Sequence, residues 1–413
     1  MDQVGLCREE ALTGLEIGSS LVSATPEAQV ALLDLNPSFS ILPRLPPDII
    51  RLLADEFEHG CEAQERRKLG CNMSLVNREW RSIEQSLVFR HIRLSSLEVY
   101  DKMMRRLLMR SFTLAHYVRH LDIEHLTPSL PTSISLIPLF DRCTQLSRLT
   151  IRTRPKEMSI ILKSLRLSSA LSSISRIKLE YTLSGSLDDF DDRDFGEIAK
   201  LGPLEVFSLA LPVNLGFMLP SQFKLPSPVQ AKGFYLRYSG TAGSDKIVDQ
   251  VTSSLLSMLA PEALRHLHLE SSSTAQSLID WLRHRTSLTT LHLVSDPSKV
   301  PSTIFRLRTI LSTLPLLRSL EIRGKGDLRQ SQILSDSDLN LFLPRLPPWI
   351  IQVTLDTVIV DRSNQSSIAK FLDTRVTTAL RQFEFLGRSR ERMTALKLNL
   401  REGEERKRWF WKV

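Results

Sequence analysis

The chain is poor in the residues that announce most enzymatic and metal-binding chemistry. Its 413 residues include four cysteines, Cys7, Cys61, Cys71 and Cys143. They are irregularly spaced, and none forms a CxxC pair or sits in a His–Cys cluster, so neither a zinc module nor a disulfide framework is expected. Free thiols in a reducing compartment are the consequence. Aromatics make up 7% of the chain, and no run of five or more Lys/Arg occurs, so the net charge of +8 is spread out rather than gathered into a nucleic-acid arm. The longest uncharged run, Val206 to Phe223, is interrupted by Pro212, Asn214, Pro220 and Gln222 and makes a poor membrane span. The first residues carry Asp2, Glu9 and Glu10 and no basic stretch, so no signal peptide is expected. GxxxxGK[ST], GxSxG, HExxH and GxGxxG in a strand–helix setting are all missing. These absences point away from an enzyme, a cofactor, a membrane or a nucleic-acid partner. They point toward an intracellular binding protein of the cytoplasm, the nucleus or both.

What is present changes character along the chain. Residues 1–40 read as a poorly ordered leader. From Ile41 the sequence turns apolar at helical spacing. "LPRLPPDIIRLLADEF" places Pro46 and Pro47 ahead of Ile49, Ile50, Leu52, Leu53 and Phe57, the pattern of a short amphipathic helix with proline at its first turn. From the end of the polar stretch "EHGCEAQERRKLG" (58–70), Leu69, Met73, Val76 and Trp80 run at spacings of four, three and four. This second helix runs on through Ile83 and Leu87. The helical unit spans residues 41–94 and ends in the alternating "VFRHIRL", which predicts a strand.

From residue 95 to 400 the chain repeats. Ten segments follow one template of apolar, two residues, apolar, one residue, apolar. They include "VRHLDI" (118–123), "LSRLTI" (146–151), "LRHLHL" (264–269) and "LRQFEF" (380–385). Successive middle positions, from Leu121 to Phe383, are 24 to 33 residues apart. That period with an LxxLxL core predicts one strand per repeat with its apolar residues turned inward, and a returning segment behind it. "VDQVTSSLLSMLA" (248–260), "AQSLIDWLRHR" (275–285) and "STIFRLRTILSTL" (302–314) supply helical candidates for that segment. One such unit cannot bury its own face, so neighbours must stack. The predicted fold is therefore α/β: a small helical domain, then an irregular leucine-rich repeat solenoid with parallel strands on the concave side and helices on the convex side. Residues 401–413 form a charged, aromatic tail.

The paired halves "LPPDIIRLLADEF" and "SLVNREWRSIEQSLVFRHIRL" resemble the F-box motif: Leu-Pro and a helix, then Leu-Val-x-x-x-Trp-Arg and a closing Leu-x-Phe-Arg-x-Ile. With the repeats behind it, the chain resembles fungal-type F-box proteins with a divergent leucine-rich repeat array. The resemblance implies a substrate receptor of a cullin-type ubiquitin ligase. The F-box would dock on the adaptor and, through it, the cullin, and the repeats would hold a target protein. By position, the implied adaptor-facing residues are Leu45, Pro46, Ile49, Leu53, Leu75, Val76, Trp80, Leu87 and Phe89. Two features depart from the family pattern. The 58–70 insert lengthens a connection that is usually short, and the Asn of an LxxLxLxxN repeat is mostly missing.

Residues between and beside the inward pair of each strand should face the open side. That column reads Asp122, Thr150, Lys178, Ser208, Tyr235, His268, His292, Glu321, Thr354 and Glu384. The expected target-facing residues are Arg148, Arg152, Arg176, Lys178, Tyr235, His268 and His292. The first four make the early repeats locally basic and suited to an acidic or phosphorylated segment. No Cys joins His266, His268 and His292, and Glu270 and Glu321 are merely nearby, so no metal is expected there. "LDDFDDRD" (187–194) lacks the Gly and terminal Glu of a calcium loop and reads as an exposed turn.

Overall fold

In the computed structural model the described residues are 89–96, 98–101, 115–124, 136–182, 193–212, 225, 227–239, 245–270, 276–296, 299–324, 336–360, 368, 370–373, 379–387, 392–397 and 409–412. The leader and all the implied adaptor-facing residues except Phe89 lie outside them.

Thirteen strands form one sheet in which spatial order equals chain order. They are β1 (His91–Leu94), β2 (His120–Glu124), β3 (Arg148–Thr153), β4 (Arg176–Tyr181), β5 (Leu204–Pro212), β6 (Ala231–Ser239), β7 (His266–Glu270), β8 (Thr290–Ser295), β9 (Ser319–Gly324), β10 (Gln352–Val360), β11 (Gln382–Gly387), β12 (Arg392–Lys397) and β13 (Trp409–Lys412). β1 to β11 pair in parallel, each with its predecessor. Among the described residues the connections carry α1 (Ile137–Arg142), α2 (Pro155–Arg166), α3 (Arg193–Ala199), α4 (Asp245–Ser257), α5 (Gln276–Arg283), α6 (Val300–Leu307) and α7 (Asp336–Phe342). Every predicted repeat segment holds a strand, and the three predicted returning segments overlap α4, α5 and α6. None of the described helices is long and apolar enough to cross a membrane.

The register explains the template. The first inward column runs from Ile92, Leu121, Leu149, Ile177 and Phe207 through Phe234, Leu267, Leu291, Leu320 and Val353 to Phe383. None of these is more than 2% exposed. The leading apolar residue of each template is buried as well, as at Val118, Leu146, Ile174, Leu204, Leu264, Leu288, Leu317 and Ile350. Phe207 and Phe234 meet on neighbouring strands with ring centroids 5.4 Å apart. The helices close this core from behind. α2 starts at Pro155, where a missing N–H costs nothing, and the Glu157 carboxylate accepts from the Arg154 backbone N–H at its start. It buries Met158, Ile161, Leu162 and Leu165 along one stripe.

Just ahead of the strands a backbone joint recurs. Ser147 and Arg148 N–H both donate to the Arg119 carbonyl, Ser175 and Arg176 to Ser147, Thr289 and Thr290 to Arg265, and Arg318 and Ser319 to Thr289. Hydroxyls reinforce it: Ser147 Oγ donates to Arg119 O, and Thr289 Oγ1 to Arg265 O. Each repeat is thus locked to the one before it by main-chain geometry that tolerates sequence drift.

β1 at His91–Leu94 is the strand that the alternating "VFRHIRL" predicts. The structure departs from the predicted layout in two places, both in the sheet. It takes in residues 409–412 of the tail. Its last two pairings, β11–β12 and β12–β13, are antiparallel rather than parallel. The first of these has a plain cause, since residues 388–391 are too few for the crossover that a parallel neighbour requires.

Because the inward column is shared between neighbours, truncating it should be costly. Phe207→Ala is expected to lose about 3–5 kcal/mol, read from chemical denaturation. Arg148→Ala, on the exposed side, should stay within about 0.5 kcal/mol. Equal losses would contradict this core.

Candidate functional site

On a strand, residues adjacent to the inward pair must emerge on the opposite face, so the sheet turns a continuous grid of side chains to solvent. The register places the predicted central column side by side, from Asp122 opposite Thr150 through Tyr235 opposite His268 to Thr354 opposite Glu384. Arg93 of β1 extends it by one strand.

The predicted basic cluster is real as a location but not as a field of free charge. Arg152 pairs with Glu180 and, at 3.5 Å, with Glu124, while Arg93 pairs with Glu124. Lys178 also binds Glu180. Burial would raise the Glu180 carboxyl, but Arg152 and Lys178 outweigh it and hold its pKa below the usual range. The flank therefore alternates in sign from strand to strand. Arg176 lies 3.2 Å from Glu205, with both side chains about half exposed, a pair worth little. Of the four predicted basic residues, only Arg148 has no acidic partner among the described residues.

The centre of the face is aromatic. The rings of Tyr235 and His268 lie 5.5 Å apart, and those of His268 and His292 lie 4.0 Å apart. Tyr235 is 39% exposed. Gly233 makes room for it: a Cβ there would stand 3.3 Å from the Tyr235 ring and 3.3 Å from the Glu205 carbonyl oxygen. Desolvation lowers the pKa of both imidazoles. For His292 the neighbouring His268 and Arg323 add to it and bring the value to about 3. Glu321 stands 3.4 Å from His292 Nδ1 and favours the charged ring, but it is already engaged by Arg323. Burial and the like-charged neighbour prevail. At neutral pH the row is thus an uncharged stacking platform with imidazole donors and acceptors.

A second cluster lies at the β1–β2 end, and the sequence reading did not include it. His91 Nε2 is 2.6 Å and His120 Nε2 3.1 Å from the carboxylate of Asp122. The two rings stack at 4.2 Å, tilted by 10°. Burial opposes the charge of Asp122, but the flanking imidazoles outweigh it and hold its pKa far below the usual carboxylate range. One signal in the sequence was available: the template, stepped back 29 residues from Leu121, lands on Ile92 and puts His91 in the same column as His120. Beside this cluster Phe89, an implied adaptor residue, is partly buried against the core of the sheet.

Since the folded pKa of His292 lies below its ordinary value near 6.5, the unfolded chain binds the extra proton between the two. Stability should therefore hold above about pH 6.5 and fall as pH drops toward 3. His292→Gln should flatten the decline between pH 7 and pH 5 by about 1 kcal/mol, discounted for the solvent that reaches the ring. Urea midpoints across that range check it, and an unchanged slope would contradict a neutral His292.

No family model matches the chain, and no curated protein matches it. Solved structures do. The leucine-rich repeat-containing protein LegL7 from Legionella pneumophila is 15% identical, with a TM-score of 0.38 over 73% of this chain and 92% of its own. The TLR13–ssRNA13 complex is 11% identical, with a TM-score of 0.28 over 66% of this chain and 40% of its own.

Proposed function

We propose that the chain is a protein-binding receptor: the outward face of the repeat sheet holds a target protein, and residues 41–94 dock on the adaptor of a cullin-type ubiquitin ligase. One observation carries the binding half. Eleven consecutive parallel strands present a single in-register row of outward side chains, from Arg93 to Glu384, on a rigid frame. A surface of this kind suits an extended partner better than a small substrate.

Within that face the row Tyr235–His268–His292 is the favoured anchor. Tyrosine offers large area at low entropic cost. The neutral imidazoles add hydrogen bonds without a charge to desolvate. The earlier cations favour an acidic segment less than their number implies, because Glu124 and Glu180 already neutralise Arg152 and Lys178. The ligase half rests on the F-box resemblance, in which Trp80 and Leu45 would be the adaptor anchors. The chemistry would lie in the other subunits.

The alternative reading is a non-ligase interaction scaffold with a degenerate F-box. Two observations favour it: the 58–70 insert and the packing of Phe89 against the sheet core rather than away from it.

Binding of the purified full-length chain to purified adaptor separates the two readings. The receptor reading expects binding, weakened about 30-fold or more by Trp80→Ala with Leu45→Ala, since buried Trp anchors contribute about 2–4 kcal/mol. The scaffold reading expects binding only after residues 58–70 are removed. A folded wild type that does not bind rejects the ligase role.

A further inference from the structure

We propose that His91, His120 and Asp122 form a binding site for a divalent transition-metal ion of the zinc type, set at the β1–β2 end of the outward face. One ligand atom from each side chain lies within 4.8 Å of the others. The parallel register fixes this. His91 sits opposite His120 and Arg93 opposite Asp122, so both imidazoles come from one column and the carboxylate from the next. The rings are nearly parallel, with both Nε2 atoms turned toward the same carboxylate. Two imidazoles and one carboxylate are a donor set that suits zinc and its first-row neighbours.

A plain hydrogen-bond network leaves this cluster incomplete. His91 Nε2 satisfies Oδ2 at 2.6 Å. Oδ1 is buried and stands 3.1 Å from His120 Nε2 without a hydrogen bond to it in acceptable geometry. A buried carboxylate oxygen without a partner is costly. A cation between the three groups would accept electron pairs from both nitrogens and from Oδ1, taking the place of the shared protons. The side chains are 17 to 30% exposed, so an ion reaches them from solvent and keeps an open position for water. Thr150 Oγ1, 3.5 Å from His120 Nε2, stands ready to hold that water. Among the neighbouring cations, Arg93 is engaged by Glu124. Arg148, in register with His120, opposes an added cation and sets a limit on affinity.

The test uses the full-length chain freed of metal by chelation. Zinc chloride is titrated calorimetrically, and cobalt(II) is followed by its visible absorption. One equivalent should bind, and cobalt should show nitrogen–oxygen ligation without the thiolate charge-transfer band that Cys7, Cys61 or Cys71 would produce. His91→Ala, His120→Ala and Asp122→Asn should each weaken binding about tenfold or more, given that loss of an outer-shell partner alone costs 10–100-fold. Arg148→Ala should tighten it, and His268→Ala should leave it unchanged. Thermal melts without metal establish that the variants fold. Absent binding, thiolate-type spectra, or affinity equal in wild type and the His91→Ala/His120→Ala double variant would each overturn the site and leave a hydrogen-bonded triad only.

Discussion

Everything in this structure depends on one constraint: a single repeat cannot bury its own apolar strand. Leu149 or Leu291 reaches near-zero exposure only because the strands on either side and the helix or turn behind it cover what its own repeat leaves open. Burial of this kind is nearest-neighbour by nature. It fixes the parallel register, and the register in turn fixes every outward residue against its neighbours. The joints in which two N–H groups share one carbonyl of the previous repeat carry the same constraint into the backbone. Spacing between repeats is then free to wander without loss of alignment.

The outward face is a by-product of that register. Columns that the core does not need are open to any chemistry, and the chain uses them in blocks. Near β1 and β2 it places two imidazoles around a carboxylate. Through β3 and β4 it alternates Arg and Glu. From β6 to β8 it sets Tyr235, His268 and His292 in a row. A sequence of charges that looks basic in one dimension becomes nearly neutral once Glu124 and Glu180 are seen to stand between Arg93, Arg152 and Lys178.

Legibility in the sequence followed the same division. The repeat strands and the outward columns were readable because period-two alternation and a 24–33-residue recurrence are local signals that the core enforces. Tyr235, His268 and His292 were placed side by side on that basis, and the register bears the placement out. Two things could not be read so directly. The pairing of Arg152 with Glu180 depends on which rotamers meet across strands, and period alone carries no such information. The His91–His120–Asp122 cluster spans β1 and β2, and the ten-segment template begins only at β2, so His91 was not set in the column of His120. The antiparallel end also lay outside the template, because a short four-residue connection, not a hydrophobic pattern, dictates it.

The proposal to be tested is that one chain holds two surfaces, residues 41–94 for an adaptor and the sheet face for a target. Hydrogen–deuterium exchange on the full-length chain, free and saturated with purified adaptor, tests this most directly. The account predicts new protection in peptides covering residues 41–88 and unchanged exchange in the peptides of β3 to β9. Protection of those strands by the adaptor, with none in residues 41–88, would contradict it.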